Sequence, residues 1–344
     1  MMARTFGKRP SGARLQRMMQ SPNYRKGVFH NLSPTPVMAE DASFWKTLKD
    51  FLNKPKNVRP DKPLPVIHAD LRNLPTDAPV IVWFGHSSYY LQINGKKILV
   101  DPVFGKNASP VPFMIKPFAG TNVFSIADFP DLDMVILTHD HYDHMDYTTM
   151  LQVKHKTTHF YTMLGVGSHL EYWGVPPENI TEFDWWESQQ VDSNTTLTAA
   201  PGRHFSGRGL KRGETLWGSF ILKTGDYNLY LGGDSGYDFH FKKIGEEYGP
   251  FDLAILECGQ YNKNWPHIHM MPEETVQAAI DLNAKVLLPV HWGKFDLALH
   301  PWDEPIKRLV KHAAELNQKI ITPMIGEPVR IGKDFPDKQW WSLL

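Results

Sequence analysis

The stretch ILTHDHYDHMD, residues 136–146, places four possible metal ligands within six positions: His139, His141, Asp143 and His144. The apolar run that leads into it, MVILT, predicts a strand buried on both faces of a sheet. In extended backbone the first two histidines point to the same side, and the other two ligands follow where the chain turns into the next helix. Four ionisable side chains beside a buried strand are costly unless a divalent cation compensates them. The stretch therefore predicts a metal site at the end of a strand.

Three later apolar runs also end in a possible metal ligand. LTAAPGR runs into His204, LYLGG runs into Asp234, and VLLPV runs into His291. Strand ends meet at one edge of a sheet, and such an edge can hold ligands that are distant in sequence in a rigid arrangement. For Asp234 a second interpretation stays open from spacing alone, because Gly232 and Gly233 can form a turn that this aspartate caps.

The remaining patterns predict an α/β fold built from packed sheets. Asn94-Gly95 lies between two apolar runs, VIVWFGHSSYYLQI and ILVDPVF, and this arrangement predicts a β-hairpin. Short apolar runs follow along the chain, and the helical patterns PEETVQAAIDL and PIKRLVKHAAELN fall between and after them. This order indicates sheets that pack on each other and are covered outside by helices.

Composition limits the classes of function. The 344 residues include 37 acidic and 37 basic side chains, so there is no overall field to attract a nucleic acid. Cys258 is the only cysteine, which excludes an intrachain disulfide and a Cys-rich zinc module. The sequence contains no apolar run of roughly 20 residues and no secretory signal pattern. We therefore expect a cytoplasmic protein that has no nucleic-acid partner.

The N-terminal region differs from the rest of the chain. Residues 1–39 hold seven Lys or Arg and no acid, which predicts a mobile tail. Peripheral contact with an anionic membrane surface and an Arg-rich targeting peptide are two alternatives for this region. FWKTLKDFLN, residues 44–53, predicts a short amphipathic helix, and the Lys- and Pro-rich stretch after it predicts a linker. We therefore divide the chain into a basic tail, helix and linker at 1–60 and a single domain at 61–344.

The combined motifs resemble the metallo-β-lactamase superfamily. Within it, the chain is most similar to the N-acyl-phosphatidylethanolamine phospholipase D family and its bacterial RomA-type relatives. The matching blocks span about residues 79–305 and are WFGHSSYYLQINGKKILVDPVF, ASPVPF, PGRHFSGRGL, TLWGSFIL, GGDSGY, HMMPEETVQAA and PVHWGKF. The resemblance implies an αββα four-layer sandwich.

The resemblance also implies two metal ions, normally zinc, although Mn²⁺ and Fe²⁺ are possible. One ion would bind His139, His141 and His204, the other would bind Asp143, His144 and His291, and Asp234 would bridge the two ions.

Other site residues follow from the same resemblance. Asp143 would take part in catalysis, together with Asp101 beneath the site and His269 beside the substrate. We also treat Arg203, Arg208 and His86 as candidate substrate-binding residues, with a solvated surface role as the alternative for each arginine. The sequence departs from the phospholipase pattern at LECGQY, residues 256–261, and at Lys294, where threonine is common.

The expected function is a dinuclear zinc hydrolase, in which a hydroxide held between the ions attacks the phosphorus of a phosphodiester. The expected substrate is a phospholipid-like or other small molecule. A lactonase or other small-metabolite hydrolase on the same fold is the first alternative. A non-catalytic metal-binding regulatory protein is the second.

Overall fold

The computed structural model describes residues 2–111 and 113–343. Met1, Leu344 and Pro112 of the ASPVPF block lie outside the described residues. Two β-sheets lie face to face, helices flank them, and buried apolar side chains from both sheets form one continuous core. The αββα layering is thereby confirmed.

The strands are numbered in chain order along the described residues. They are β1 Tyr24–Arg25, β2 Val28–Phe29, β3 Val80–Trp83, β4 Tyr89–Ile93, β5 Lys96–Val100, β6 Leu132–Leu137, β7 Thr157–Met163, β8 Ile180–Phe183, β9 Ser188–Asp192, β10 Thr195–Ala200, β11 Ser219–Thr224, β12 Tyr227–Leu231, β13 Leu253–Glu257, β14 Leu287–Val290 and β15 Pro328–Arg330.

The helices are numbered in the same way. The α-helices are α1 Met2–Thr5, α2 Gly12–Gln20, α3 Phe44–Leu52, α4 Tyr147–Val153, α5 Gly167–Tyr172, α6 His240–Tyr248, α7 Pro272–Asp281 and α8 Glu304–Glu315. Short 3₁₀ helices lie at Lys56–Val58, Ile126–Asp128, Pro177–Asn179 and Trp340–Leu343. Both predicted C-terminal helices are confirmed as α7 and α8. Among residues 2–111 and 113–343, no helix is both long enough and apolar enough to cross a bilayer.

Strand direction brings the predicted ligands to one place. The first sheet has the order β15-β3-β4-β5-β6-β7-β8, and β6 runs parallel to β5 and β7. The second has the order β14-β13-β12-β11-β10-β9, in which β12, β13 and β14 are parallel. Strand β10 also runs in that direction, because β11 is antiparallel to both β10 and β12. The ligand-bearing ends of β10, β12 and β14 therefore meet at one edge of their sheet.

The predicted hairpin is confirmed, with one difference. Asn94 and Gly95 both have positive φ, 47° and 76°, and connect β4 to β5 by the tight turn that such dipeptides favour. The preceding apolar run is two strands rather than one. Gly85 and His86 adopt positive φ, 80° and 53°, and turn the chain back between β3 and β4. This turn places His86 at the ligand edge.

The expectation of a mobile N-terminal tail is corrected by the structure. Met18 of α2 and Phe29 of β2 belong to the main hydrophobic core, although the surrounding sequence is basic. Arg14 forms an ion pair with Glu182, whose side chain is buried beside α5. Buried apolar contacts and an ion pair to a buried glutamate fix the segment, and composition alone reveals neither.

The packing of this segment can be tested at two adjacent methionines. Met18 is 1% exposed and Met19 is 65% exposed. We expect Met18→Ala to lower the free energy of unfolding by about 2–5 kcal/mol, because it leaves a cavity in the core. Met19→Ala is the matched control and should change it by less than about 0.5 kcal/mol. Urea unfolding of both variants measures the difference, and equal stabilities would show that the segment does not pack.

Candidate metal centre

The loops after four strands gather the seven predicted ligands at one edge. The strands are β6, β10, β12 and β14, and every one of these residues has less than one-tenth of its surface exposed except His141, which is partly buried. The seven are His139, His141, Asp143, His144, His204, Asp234 and His291. The alternative role of Asp234, in which it only caps a turn, does not fit this position.

The first donor set consists of four of these residues: His139, His141, His204 and Asp234. His141 Nδ1 lies 2.9 Å from His139 Nε2 and 3.3 Å from His204 Nε2. Asp234 Oδ2 lies 3.7 Å from His139 Nε2 and 3.6 Å from His204 Nε2. A tetrahedral ion with bonds of about 2.0–2.1 Å to nitrogen separates its donors by about 3.3–3.4 Å. These spacings suit one such ion.

The second donor set adjoins the first through Asp234. His144 Nε2 lies 3.1 Å from Asp234 Oδ2 and 3.7 Å from Asp143 Oδ2. His291 Nδ1 lies 3.2 Å from the other oxygen, Oδ1, of Asp234. His86, Asp143, His144 and His291 can together surround an ion. Asp234 therefore contacts both sets: Oδ2 lies near donors of each, and Oδ1 lies near His291.

The rings of His204 and His144 are oriented by hydrogen bonds from the ring nitrogen that faces away from the donor sets. The carbonyl oxygen of Ile268 accepts from His204 Nδ1 at 2.7 Å, so the lone pair of His204 is on Nε2. Asp101 Oδ2 accepts from His144 Nδ1 at 2.7 Å. Asp101 also accepts from the backbone N–H and the hydroxyl of Thr138, at 2.9 and 2.6 Å. As the resemblance implied, Asp101 lies beneath the ligands.

Unsatisfied polar atoms show that the site fits cations. Four buried ligand-edge atoms have no hydrogen-bond partner in the described part of the chain: His86 Nδ1, His144 Nε2, Asp234 Oδ1 and His291 Nε2. Each such atom costs about 1–3 kcal/mol when left unpaired. Divalent ions would satisfy them, because they accept lone pairs from neutral imidazole and carboxylate.

Protonation states agree with metal binding. Burial lowers the pKa of His141 to about 4 and holds the pKa values of His139 and His204 well below the ordinary histidine value. These rings are therefore neutral near pH 7. Burial opposes a charge on His144, yet the carboxylates of Asp234, Asp143 and Asp101 raise its pKa well above the ordinary value. The three carboxylates thus favour a positive charge at the position of His144, and a bound cation would supply it.

His86 is not a substrate contact, contrary to the expectation. Its side chain is fully buried, and its Nε2 lies 2.8 Å from Asp143 Oδ2. The ring of Phe295 covers it, with ring centroids 5.2 Å apart. The positive-φ turn at residues 85–86 directs this side chain inward, so His86 orients Asp143 or joins the second donor set.

The structure also corrects the roles of the two arginines. Arg208 is buried and donates to the carbonyl oxygens of Asp140 and Met145, each at 2.7 Å. Arg203 donates to Thr35 Oγ1 at 3.1 Å and to the carbonyl oxygen of Pro34 at 3.0 Å. Both guanidinium groups therefore hold loops together and do not line the site.

Two polar residues near the site were missed by sequence reasoning. The side chain of Asn31 donates to the carbonyl oxygen of His204 at 2.8 Å and accepts from its backbone N–H at 3.1 Å. No local pattern marks Asn31, because it lies in the supposed tail. Glu257 Oε2 lies 2.7 Å from His269 Nδ1. Glu257 ends the apolar run DLAIL, so the rule used for the other strand ends could have found it.

A cavity of about 400 Å³ lies over the donor sets, and we call it the apolar chamber. Its floor includes ligands from both sets together with His269. Phe51 of α3 stacks on Trp265 at 5.7 Å, so the N-terminal region supplies part of its wall. The apolar residues that line it are Val37, Met38, Leu48, Phe51, Phe205, Trp265, Ile268 and Leu297. The donor sets thus open into a mainly apolar space.

Comparisons with known sequences agree with this site. The Lactamase_B_2 family, described as Beta-lactamase superfamily domain, matches residues 96–292. The uncharacterized protein Rv0906 of Mycobacterium tuberculosis is 39% identical over 329 residues, which cover 94% of this chain and 88% of that protein. Outer membrane protein RomA of Klebsiella pneumoniae is 59% identical over 99 residues, 29% of this chain and 75% of that protein.

N-acyl-phosphatidylethanolamine-hydrolyzing phospholipase D 1 of Caenorhabditis elegans is 29% identical over 263 residues, 71% of this chain and 74% of that enzyme. The solved structure of Igni18, a metallo hydrolase of Ignicoccus hospitalis, covers 73% of this chain and 97% of its own, with a TM-score of 0.57 and 21% identity. This last likeness concerns the fold alone.

The chain therefore belongs to the metallo-β-lactamase superfamily, as its motifs indicated. It is a metal-dependent hydrolase of that superfamily, with candidate metal-binding His and Asp clusters at the ligand edge.

Asp234 is the residue on which both donor sets depend. We expect Asp234→Asn to lower metal content and hydrolysis of bis(4-nitrophenyl) phosphate together, the rate by about 10³-fold, because it removes a central negative charge. Asp226→Asn, at the exposed opposite end of β12, is the control and should change neither. Elemental analysis and steady-state rates measure both effects. Normal metal content with normal turnover in Asp234→Asn would show that the donor sets do not share this carboxylate.

Proposed function

We propose that this protein is a dinuclear zinc phosphodiesterase of the N-acyl-phosphatidylethanolamine phospholipase D type. The observation that carries the proposal is the pair of donor sets that share Asp234 on the floor of an apolar chamber. Two bound ions would supply an activated water and positive charge opposite a phosphoryl oxygen. Similarity to the C. elegans phospholipase supports a phosphodiester as the bond that is cleaved.

Protein side chains would prepare the site and handle the proton. His144 is held by Asp101, and His204 is held by the carbonyl oxygen of Ile268. His269 lines the chamber, and its Nδ1 lies against Glu257. Burial lowers the pKa of His269, so the ring is neutral near pH 7. Burial raises the pKa of Glu257 well above the ordinary value, so its carboxyl can donate to Nδ1 and leave the single hydrogen of the neutral ring on Nε2. Nε2–H can then give its proton to a leaving alkoxide while Nδ1 takes the proton of Glu257, which becomes a carboxylate.

The surroundings of the chamber suit an amphiphile. Leu48 and Phe51 of α3 line the chamber, whereas Trp45 and Leu52 of the same helix are 75% and 77% exposed. Helix α3 thus continues the apolar surface from the chamber to the outside. Its two lysines add positive charge. In this proposal α3 contacts an anionic lipid surface while an acyl chain enters the chamber.

A lactonase or other small-metabolite hydrolase is the second candidate function. The segment LECGQY, where the sequence departs from the phospholipase pattern, places both Glu257 and Gln260 at the site. The Gln260 side chain is held by the carbonyl oxygen of Phe295 and the backbone N–H of Leu297, so the polar group that this segment presents to a substrate is His269, supported by Glu257. Such a group could also protonate the alkoxide of an opened lactone. A substrate panel that includes lactones separates the two candidates.

The first test combines metal content with that panel. Purified protein should contain about two transition-metal ions per chain, most of them zinc. In mixed micelles it should release phosphatidic acid from N-acyl-phosphatidylethanolamine faster than it opens any lactone, as measured by mass spectrometry. One ion or fewer after growth in metal-replete medium would refute the dinuclear site, and a preference for lactones would favour the second candidate.

His269→Asn tests the proton transfer. The variant should keep both metals and lose about 10²- to 10⁴-fold in rate on a diester with an alkoxide leaving group. The loss should be smaller with a nitrophenolate, which departs without a proton. His267→Asn is the control, because His267 lies two residues away and does not line the chamber. Equal losses on both diesters with a lowered melting temperature would indicate a structural histidine, and full activity would remove His269 from the site.

A further inference from the structure

A second cavity, of about 520 Å³, adjoins the apolar chamber. The two cavities share Val37, Phe205 and Arg212, and the metal-ligand candidate His204 lines both. We call this second cavity the basic pocket, because its lining includes Arg25, Lys26 and Arg212. It lies on the side of the donor sets where the N-terminal segment covers the sheet edge.

The cations of the basic pocket lack counter-charges. None of the described residues that line it is acidic. Within the described part of the chain, the side chains of Arg25, Lys26 and Arg212 make no hydrogen bond or ion pair. The guanidinium of Arg212 lies 4.7 Å from the ring centroid of Phe205, which holds it at the junction of the two cavities. This arrangement contrasts with Arg203 and Arg208, whose guanidinium groups are already used by the fold.

The local fold keeps these cations together. Lys26 and Gly27 both have positive φ, 53° and 76°, and form the tight turn between β1 and β2 that carries two of the three cations. The backbone N–H of Phe29 donates to the carbonyl oxygen of Gly213 at 2.8 Å, and Lys211 Nζ donates to the carbonyl oxygen of Gly27 at 3.0 Å. The hairpin is therefore bound to the loop that contains Arg212.

We infer that the basic pocket binds a second anionic group of the substrate, a phosphate or a carboxylate separate from the group attacked at the metal centre. The inference rests on the proposed function and adds a substrate class to it, a diester that carries a further acid. Neighbouring cations without counter-charges repel each other, and a bound anion would relieve this repulsion through charge-assisted hydrogen bonds. The shared residues place such an anion beside the donor sets and next to the apolar chamber.

Three matched substrates test the inference. Each is a 4-nitrophenyl phosphodiester whose second arm is an alkyl chain that ends in a methyl group, a carboxylate or a phosphate. The metal-loaded protein should cleave at least one charged-end substrate with a kcat/KM about tenfold or more above that of the methyl-ended one. The double variant Arg25→Gln/Lys26→Gln changes two cations that line the basic pocket but not the apolar chamber, so it should abolish this preference and keep the methyl-ended rate within about twofold. Arg17→Gln, an exposed arginine paired with Glu187 and outside both cavities, should retain the preference.

Each outcome decides a separate point. A preference for one charged end identifies the anion as phosphate or carboxylate. Equal rates on all three substrates in the native protein would overturn the basic pocket and leave the phosphodiesterase intact. If no diester is cleaved, the proposed function fails, and thermal shift with inorganic pyrophosphate then decides on the pocket. Loss of the pyrophosphate shift in Arg25→Gln/Lys26→Gln supports the pocket, and an equal shift in the native protein and this variant overturns it.

Discussion

Asp234 holds its two carboxylate oxygens among four imidazole rings, and the arrangement of the two sheets makes this contact possible. Burial raises the pKa of Asp234 to about 6, so its negative charge depends on positive charge nearby. Loose loops could not keep so many desolvated donors at 3–4 Å from one carboxylate. The donors are kept in place by strands β6, β10, β12 and β14. Each of these strands ends at the ligand edge, and its backbone is hydrogen-bonded to neighbouring strands.

The N-terminal segment completes the site that the sheets begin. Asn31 binds both backbone groups of His204, and Phe51 forms a wall of the apolar chamber. Because Met18 and Phe29 are part of the main core, the segment is held by apolar burial and not only by its polar contacts. Arg25 of the same segment lines the basic pocket, where we propose that an anionic group binds. One segment thus links the core, the ligand strand and the substrate cavities.

The sequence was sufficient for the layers of the fold and for the residues that follow strand ends. The rule that parallel strand ends meet needs only periodicity, and it brought together residues as distant as His139 and His291. It could not reveal where the arginines point, because Arg208 is directed by carbonyl oxygens at positions 140 and 145. It also could not show that His86 turns inward, since that depends on a positive φ. The orientations of these side chains are set by contacts between residues that are distant in sequence and by local backbone conformation.

The two departures from the phospholipase pattern have different meanings once they are placed in the structure. Lys294 is fully buried and donates to the carbonyl oxygens of Phe84 and Val103, which join the turn before β4 to the loop after β5. Burial lowers its pKa to about 7, so the ammonium and the neutral amine are both populated near neutral pH, and both can donate to these carbonyl oxygens. That role supports the loops, and Lys294 does not line the apolar chamber. Glu257 instead reaches His269 at the chamber. Substrate differences from the phospholipases should therefore arise at LECGQY rather than at the lysine.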